Sequence, residues 1–405
     1  MPSPASFEPL RVTNFRHFFL AEVINSFGSA MSGIALAFAV LEISPSPTAL
    51  GIVVACGTLP GVALMMLGGA LADRLPRGAV LRGCNALMAV LRVIMAVLVI
   101  TGTAKIWHLA VLAFLSGIVW AVSYPAFHGM VPVLLEPAQR KAGFLLISQS
   151  NGVLRILGPA LAGVLVATVG PGWAMAIDAL TFAVAAAFLA LLKVPAQARP
   201  ERQESLLKDF GYGWAFARRL GWVVPVASAS LVFNSLIAGT IGVLGPTLAA
   251  DTIGSRGWGF ANSAEAIGLL VMTVVLTRVN IRRGLVWCVS GFSVSAVPVA
   301  VLATDFTTLT LGAAFLIAGA GFAAIELSWA LTVQEKVPEE MLSRIMSIDG
   351  FFSFVAMPIG QLAAGPAAHA FGIQEVIVAS AVLILLTAGL TLARPVIRRV
   401  VLAGS

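Results

Sequence analysis

Gly158-Pro159-Ala160-Leu161-Ala162-Gly163 is followed by Gly170, and Gly360-Gln361-Leu362-Ala363-Ala364-Gly365 is followed by Gly372. In both stretches the last glycine comes twelve residues after the first, and half a chain separates the two copies. Pro137 and Pro338 precede them at nearly the same offset. Small residues one helical turn apart let helix backbones approach closely in lipid. Each stretch therefore predicts a tightly packed helix, and the recurrence predicts two related halves.

The chain around these stretches is very apolar. Hydrophobic residues make up 59% of its 405 positions and charged residues 11%. A soluble globule carries about 25% charged residues, so this chain cannot cover a water-facing surface. Soluble enzyme, disordered hub and disulfide scaffold are excluded together. An apolar stretch of about 20 residues crosses a bilayer as a helix. Twelve such stretches are read, at about 15–43, 48–72, 79–101, 106–132, 142–168, 172–194, 221–249, 258–278, 284–304, 307–333, 343–370 and 373–394. The predicted fold class is an all-α membrane protein of twelve transmembrane helices in two six-helix, pseudo-symmetric bundles. One bundle covers 1–194 and the other 221–405. A charged cytoplasmic linker, 195–220, joins them, and 203–220 predicts an amphipathic helix on the inner surface with Trp214 and Phe216 toward lipid. Internally repeated transporters hold their substrate between the halves, near the midplane.

Charge sets the orientation. Of the 25 Lys and Arg residues, all but four fall on the N-terminal side and on every second loop after it. Lys105 and Arg256 lie on the opposite face, and Arg92 and Arg155 fall inside spans. The positive-inside rule then places both termini in the cytoplasm. The net charge of +7 belongs to this asymmetry and not to a nucleic-acid surface. Cys56, Cys84 and Cys288 lie in apolar stretches and read as packing thiols.

Ionisable groups inside spans are costly and mark candidate sites. Span 1 carries Glu22, Asn25, Ser26, Ser29, Ser32 and Gly33 at spacings of three and four, hence on one face. Such a stripe faces a water-filled cavity, or Glu22 snorkels to the inner surface. Span 5 carries Ser148, Asn151 and Arg155 on one face, with Arg155 near mid-span. Arg92 in span 3 is equally deep, with fewer polar neighbours. Asp178 lies in span 6, Asn234 in span 7, Asn262 and Glu265 in span 8, Glu326 in span 10 and Asp349 in span 11. Glu22, Asp178, Glu265, Glu326 and Asp349 outnumber Arg92 and Arg155. Burial favours the protonated form of an unpaired carboxyl group, so some of these acids suit proton exchange. The expected arrangement sets Arg155 between Glu22 and Asp178 in depth. Trp120, Tyr124 and His128 follow each other at four-residue steps in span 4, as a core stripe or an aromatic cavity wall.

Two further motifs carry a resemblance. The loop after span 2 reads Gly69-Ala70-Leu71-Ala72-Asp73-Arg74-Leu75-Pro76-Arg77. It resembles motif A of the major facilitator superfamily, with Pro76 and Gly78 departing from the family pattern. Gly69, Asp73, Arg74 and Arg77 are the gating residues this implies, with Asp73 near the start of span 11. Gly158, Pro159, Ala162 and Gly163 in span 5 resemble the superfamily's motif C, with Ala162 in place of a glycine. That likeness implies packing against span 8 near 261–268. Asn14-Phe15-Arg16, Ile177-Asp178-Ala179-Leu180-Thr181-Phe182 and Gln334-Glu335-Lys336-Val337-Pro338 resemble the branch holding enterobactin and macrolide exporters. The resemblance implies proton antiport exporting a small, mostly apolar molecule from the inner membrane. Uptake or lipid translocation is the alternative within the class, and a non-transporting sensor is the alternative outside it.

The chain has no Gly-x4-Gly-Lys-Ser/Thr string for ATP and no catalytic or metal-binding spacing. Neither an enzyme activity nor a cofactor is expected. The expected partners are a small molecule, protons and the lipid bilayer, with no nucleic acid, and the expected state is a monomer.

Overall fold

The structure is a computed structural model that describes residues 4–65, 76–193 and 206–403. Among the described residues, twelve helices are long and apolar enough to cross a membrane, and all regular structure is helical. Spans 1 to 6 are Thr13–Ile43, Pro47–Met65, Arg77–Ile100, Ile106–His128, Pro137–Val169 and Pro171–Ala190. Span 7 runs from Val223–Gly239 through a π-helical turn, Thr240–Leu244, into Gly245–Asp251. Span 8 is Gly254–Leu276, and span 9 is Gly284–Ser295 continued by Val297–Leu302. Spans 10 to 12 are Thr308–Lys336, Glu339–Phe371 and Ile373–Ala393. These are the twelve stretches read from hydropathy. Span 5 is an unbroken helix through Pro159.

The repeated glycines have a shared local cause. Gly170 and Gly372 end spans 5 and 11 with φ of 87° and 96°, a left-handed region that a side chain disfavours. Each is followed at once by the next span, so a two-span hairpin turns on a single glycine in both halves.

The chain forms two compact units, 1–44 with 56–202 and 45–55 with 203–405. In the first, span 1 packs on spans 5 and 6, and span 3 on spans 4 and 6. Phe15, Phe18, Met130 and Leu189 are buried together at one end of it. In the second, span 7 packs on spans 11 and 12, and span 10 on spans 8 and 9. Glycine permits several of these contacts. A side chain at Gly268 would overlap Leu316, and one at Gly319 would overlap Glu265.

The linker forms a helix over Leu206–Leu220. Trp214 does not point to lipid as expected. Its ring stacks on Phe352 of span 11 at 5.8 Å, nearly parallel, and the Arg344 guanidinium lies 6.0 Å from the Tyr212 ring. The same amphipathic pattern serves lipid or a neighbouring helix, and here the apolar face is spent on span 11.

Candidate functional site

A cavity of about 590 Å³ lies in the first unit. Spans 1, 3 and 4 supply most of its wall, through residues three and four apart. Span 1 contributes Glu22, Asn25, Ser26, Ser29, Ser32 and Gly33, the polar stripe of the sequence. Span 3 contributes Cys84, Asn85, Met88 and Arg92, span 4 contributes Ser116, Trp120, Ser123 and Tyr124, and span 5 contributes Asn151.

Glu22 is held by neutral groups. The Ser26 hydroxyl, one turn on, donates to its Oε1 at 2.9 Å, and the Asn151 side chain also hydrogen-bonds it. No basic side chain pairs with Glu22 among the described residues. Asp178 is different. It is 1% exposed, and the Arg92 Nε lies 3.3 Å from its Oδ2. A side chain at Gly28 would collide with Asp178 and Thr181, so the absence of a Cβ in span 1 gives this carboxylate its room. Thr181 turns its hydroxyl to the Asp178 carbonyl at 2.7 Å.

The aromatic wall is set by helix register. Phe18 of span 1 stacks on Phe127 of span 4 at 5.3 Å. Spans 1 and 4 run in opposite directions, as the first and fourth crossings of a serpentine chain. One turn beyond Phe18 is Glu22, and one turn before Phe127 are Ser123 and Tyr124. Asn25 is then level with Trp120. The Trp120 and Tyr124 rings sit 5.1 Å apart at 43°, and both residues are about half exposed, at 48% and 46%.

The remaining sequence candidates fall elsewhere. Arg155 is exposed and is not among the residues lining this cavity. The base beside Asp178 is Arg92 rather than Arg155. Asn234, Glu265, Glu326 and Asp349 belong to the second unit. Asn234 donates to the Ser230 carbonyl of its own helix at 2.9 Å. Glu326 is exposed and Glu265 half-buried, while Asp349 lies beside Trp329 of span 10. Gly69, Asp73 and Arg74 lie outside the described residues. Arg77, the last of that motif, donates from Nη1 to the Gly129 carbonyl at the end of span 4, at 2.9 Å. Gly158 packs against span 1, where a side chain would overlap Ala30. Ala162 is fully buried. Asn85 was missed by the sequence reading. Asn85, Met88 and Arg92 share one face at steps of three and four, and that spacing was the available signal.

Solved structures share this fold. The nucleoside transporter NupG superposes with a TM-score of 0.73 at 14% identity, covering 94% of this chain and 98% of that one. A bacterial homologue of the iron transporter ferroportin gives 0.72 at 16% identity, covering 95% and 99%. The chain shares the fold of those two transporters. Residues 4–400 match the family described as Transmembrane secretion effector, and the chain belongs to that family. Among curated relatives, the multidrug efflux pump Tap of Mycolicibacterium fortuitum is 26% identical over 93% of this chain and 94% of its own. Macrolide efflux protein A of Streptococcus pyogenes is 22% identical over 90% and 91%.

Proposed function

We propose that the chain exports a small, mostly apolar molecule in exchange for protons, by alternating access. It works as a monomer in a bacterial inner membrane with both termini in the cytoplasm. The observation that carries this reading is Glu22, a carboxylate on a cavity wall with neutral hydrogen-bond partners. Such a group changes charge state more readily than one locked to a guanidinium, whose loss would strand a buried charge. Glu22 is therefore the proton carrier, and Asp178 holds Arg92 in place. The names of two relatives as efflux pumps support the outward direction. The basic-residue skew supports the orientation.

The test uses inside-out membrane vesicles acidified by respiration and a panel of toxic compounds, macrolides included. Compounds exported by the wild-type chain should release protons from the vesicles, and Glu22→Gln should abolish that release. Whole cells that accumulate those compounds in place of excluding them would reverse the direction. Export that persists after the proton gradient is collapsed would remove the proton from the mechanism.

A further inference from the structure

We infer that the arginines around the end of span 12 form a binding site for the headgroup of an anionic phospholipid, whose acyl chains lie along the last turns of that span. The site belongs to the second unit and does not depend on the efflux reading.

Two stretches far apart in sequence bring the arginines together. The linker helix carries Arg218 and Arg219 in its last turn and gives way to Gly221, whose φ is 72°. A side chain at Gly221 would touch Val396, its Cβ 3.7 Å from Cγ2. Val396 belongs to a short helix, Pro395–Arg399, that follows span 12, and Ile397 anchors this helix by being fully buried. One side of the contact therefore supplies Arg218 and Arg219, and the other supplies Arg394, Arg398 and Arg399. All five are exposed.

None of the five has an acid partner among the described residues. The segment after span 12 runs on to the loop between spans 8 and 9, where the Leu402 N–H donates to the Arg282 carbonyl at 2.8 Å. That loop, 277–283, holds three arginines and no acid. Glu335 at the end of span 10 meets the same segment, but it already accepts from the Ala403 N–H at 2.9 Å and from Lys336 Nζ at 2.8 Å. Helix ends use part of the positive charge, since a cation offsets the dipole at a C-terminus. Arg398 does this directly, donating from Nε to the Leu392 carbonyl at 2.7 Å. The same bond draws its guanidinium back to the level of Leu392, at the edge of the apolar span. One helix end does not employ five guanidinium groups. Left without a counter-ion, they suit phosphate, which the planar guanidinium fork grips through two oxygens.

The approach to the arginines favours a lipid over a free phosphate. Leu386 and Leu390 stand at four-residue steps before Arg394, on one face of span 12, and Leu390 is 70% exposed. Apolar side chains thus lead in line to basic ones. An anionic phospholipid has the same order, with acyl chains first and then a phosphate at the edge of the hydrocarbon.

The experiment titrates the purified full chain, in a neutral detergent, with phosphatidylglycerol and with phosphatidylcholine of the same acyl chains. Native mass spectrometry reads the bound lipid. Phosphatidylglycerol should bind at least about tenfold more tightly, because each basic residue at an anionic surface contributes roughly fivefold. Arg394→Gln, Arg398→Gln and Arg399→Gln together should abolish that preference. A control removes as much charge from exposed positions of the first unit, with Arg11→Gln, Arg82→Gln and Lys141→Gln, and should keep it. Equal loss in the two triple variants would reduce the preference to net charge and overturn the site. Equal binding of the two lipids by the wild type would overturn it too. Millimolar inorganic phosphate should leave the lipid bound; displacement would make a soluble anion the ligand and remove the lipid. If the glutamine triple does not fold, Arg394→Gln alone should weaken phosphatidylglycerol binding about fivefold, and an unchanged affinity there overturns the inference.

Discussion

Glu22 and Asp178 are acids of the same unit on neighbouring, packed helices, yet their surroundings differ in kind. Glu22 lines a cavity and is held by a hydroxyl and an amide. Asp178 is sealed between spans 1, 3 and 6, with a guanidinium against it. The first can change its charge without stranding a partner. The second cannot, because losing its charge leaves the Arg92 guanidinium, 13% exposed at the cavity wall, without its partner. Depth in the membrane alone does not separate a working carboxylate from a structural one. The identity of its nearest polar neighbour does.

The largest effect should follow from breaking the sealed pair. Asp178→Asn is expected to destabilise the chain by about 3–5 kcal/mol, the usual cost of an orphaned buried charge. Replacing both partners by apolar residues, Asp178→Leu with Arg92→Met, should recover most of the loss. Thermal unfolding in detergent measures both. A single mutant that melts with the wild type would show that the ion pair does not hold spans 3 and 6 together.

Gly28→Ala comes next. Its methyl group would press on Asp178 and Thr181, and overpacking of this kind costs about 1–3 kcal/mol. The same melting assay should rank it between the wild type and Asp178→Asn. A variant as stable as the wild type would mean that span 6 yields there without strain.

Glu22→Gln should change stability by less than about 1 kcal/mol, since the amide still accepts from Ser26. Its effect is on flux: gradient-driven export should be lost while downhill exchange of substrate remains. Vesicle transport with and without a gradient separates the two. If the variant pumps like the wild type, the contrast between the two acids has been drawn the wrong way round. Ser26→Ala is the mildest in its effect on flux. It removes one of two donors to Glu22 and should cost about 0.5–1.5 kcal/mol, with export slowed but present.

Much of this molecule is legible in its sequence because lipid is a severe solvent. Backbone groups must be satisfied inside each span, so apolar length alone marks all twelve helices, and the glycine echo marks the turns at Gly170 and Gly372. The stripe from Glu22 to Gly33 is equally plain, since it depends on the period of one helix. What the sequence hid depends on the rotation of several helices at once. Arg92 and Arg155 are similar in depth and type. Which of them meets Asp178 is decided by how spans 3, 5 and 6 are turned about their axes, and no local pattern records that. Asn85 escaped for a milder reason, as a single amide among apolar neighbours. Trp214 shows the same limit, because an amphipathic face does not say whether lipid or Phe352 will cover it.

The Arg92–Asp178 pair has an electrical consequence. Moving one elementary charge across a membrane potential costs or yields about 2.3 kcal/mol per 100 mV. Two opposite charges 3.3 Å apart, carried on helices of one unit, move through that field together and their contributions cancel. However the spans shift during a transport cycle, this pair adds no gating charge. Any sensitivity of the carrier to voltage has to come from charges outside this pair, Glu22 among them.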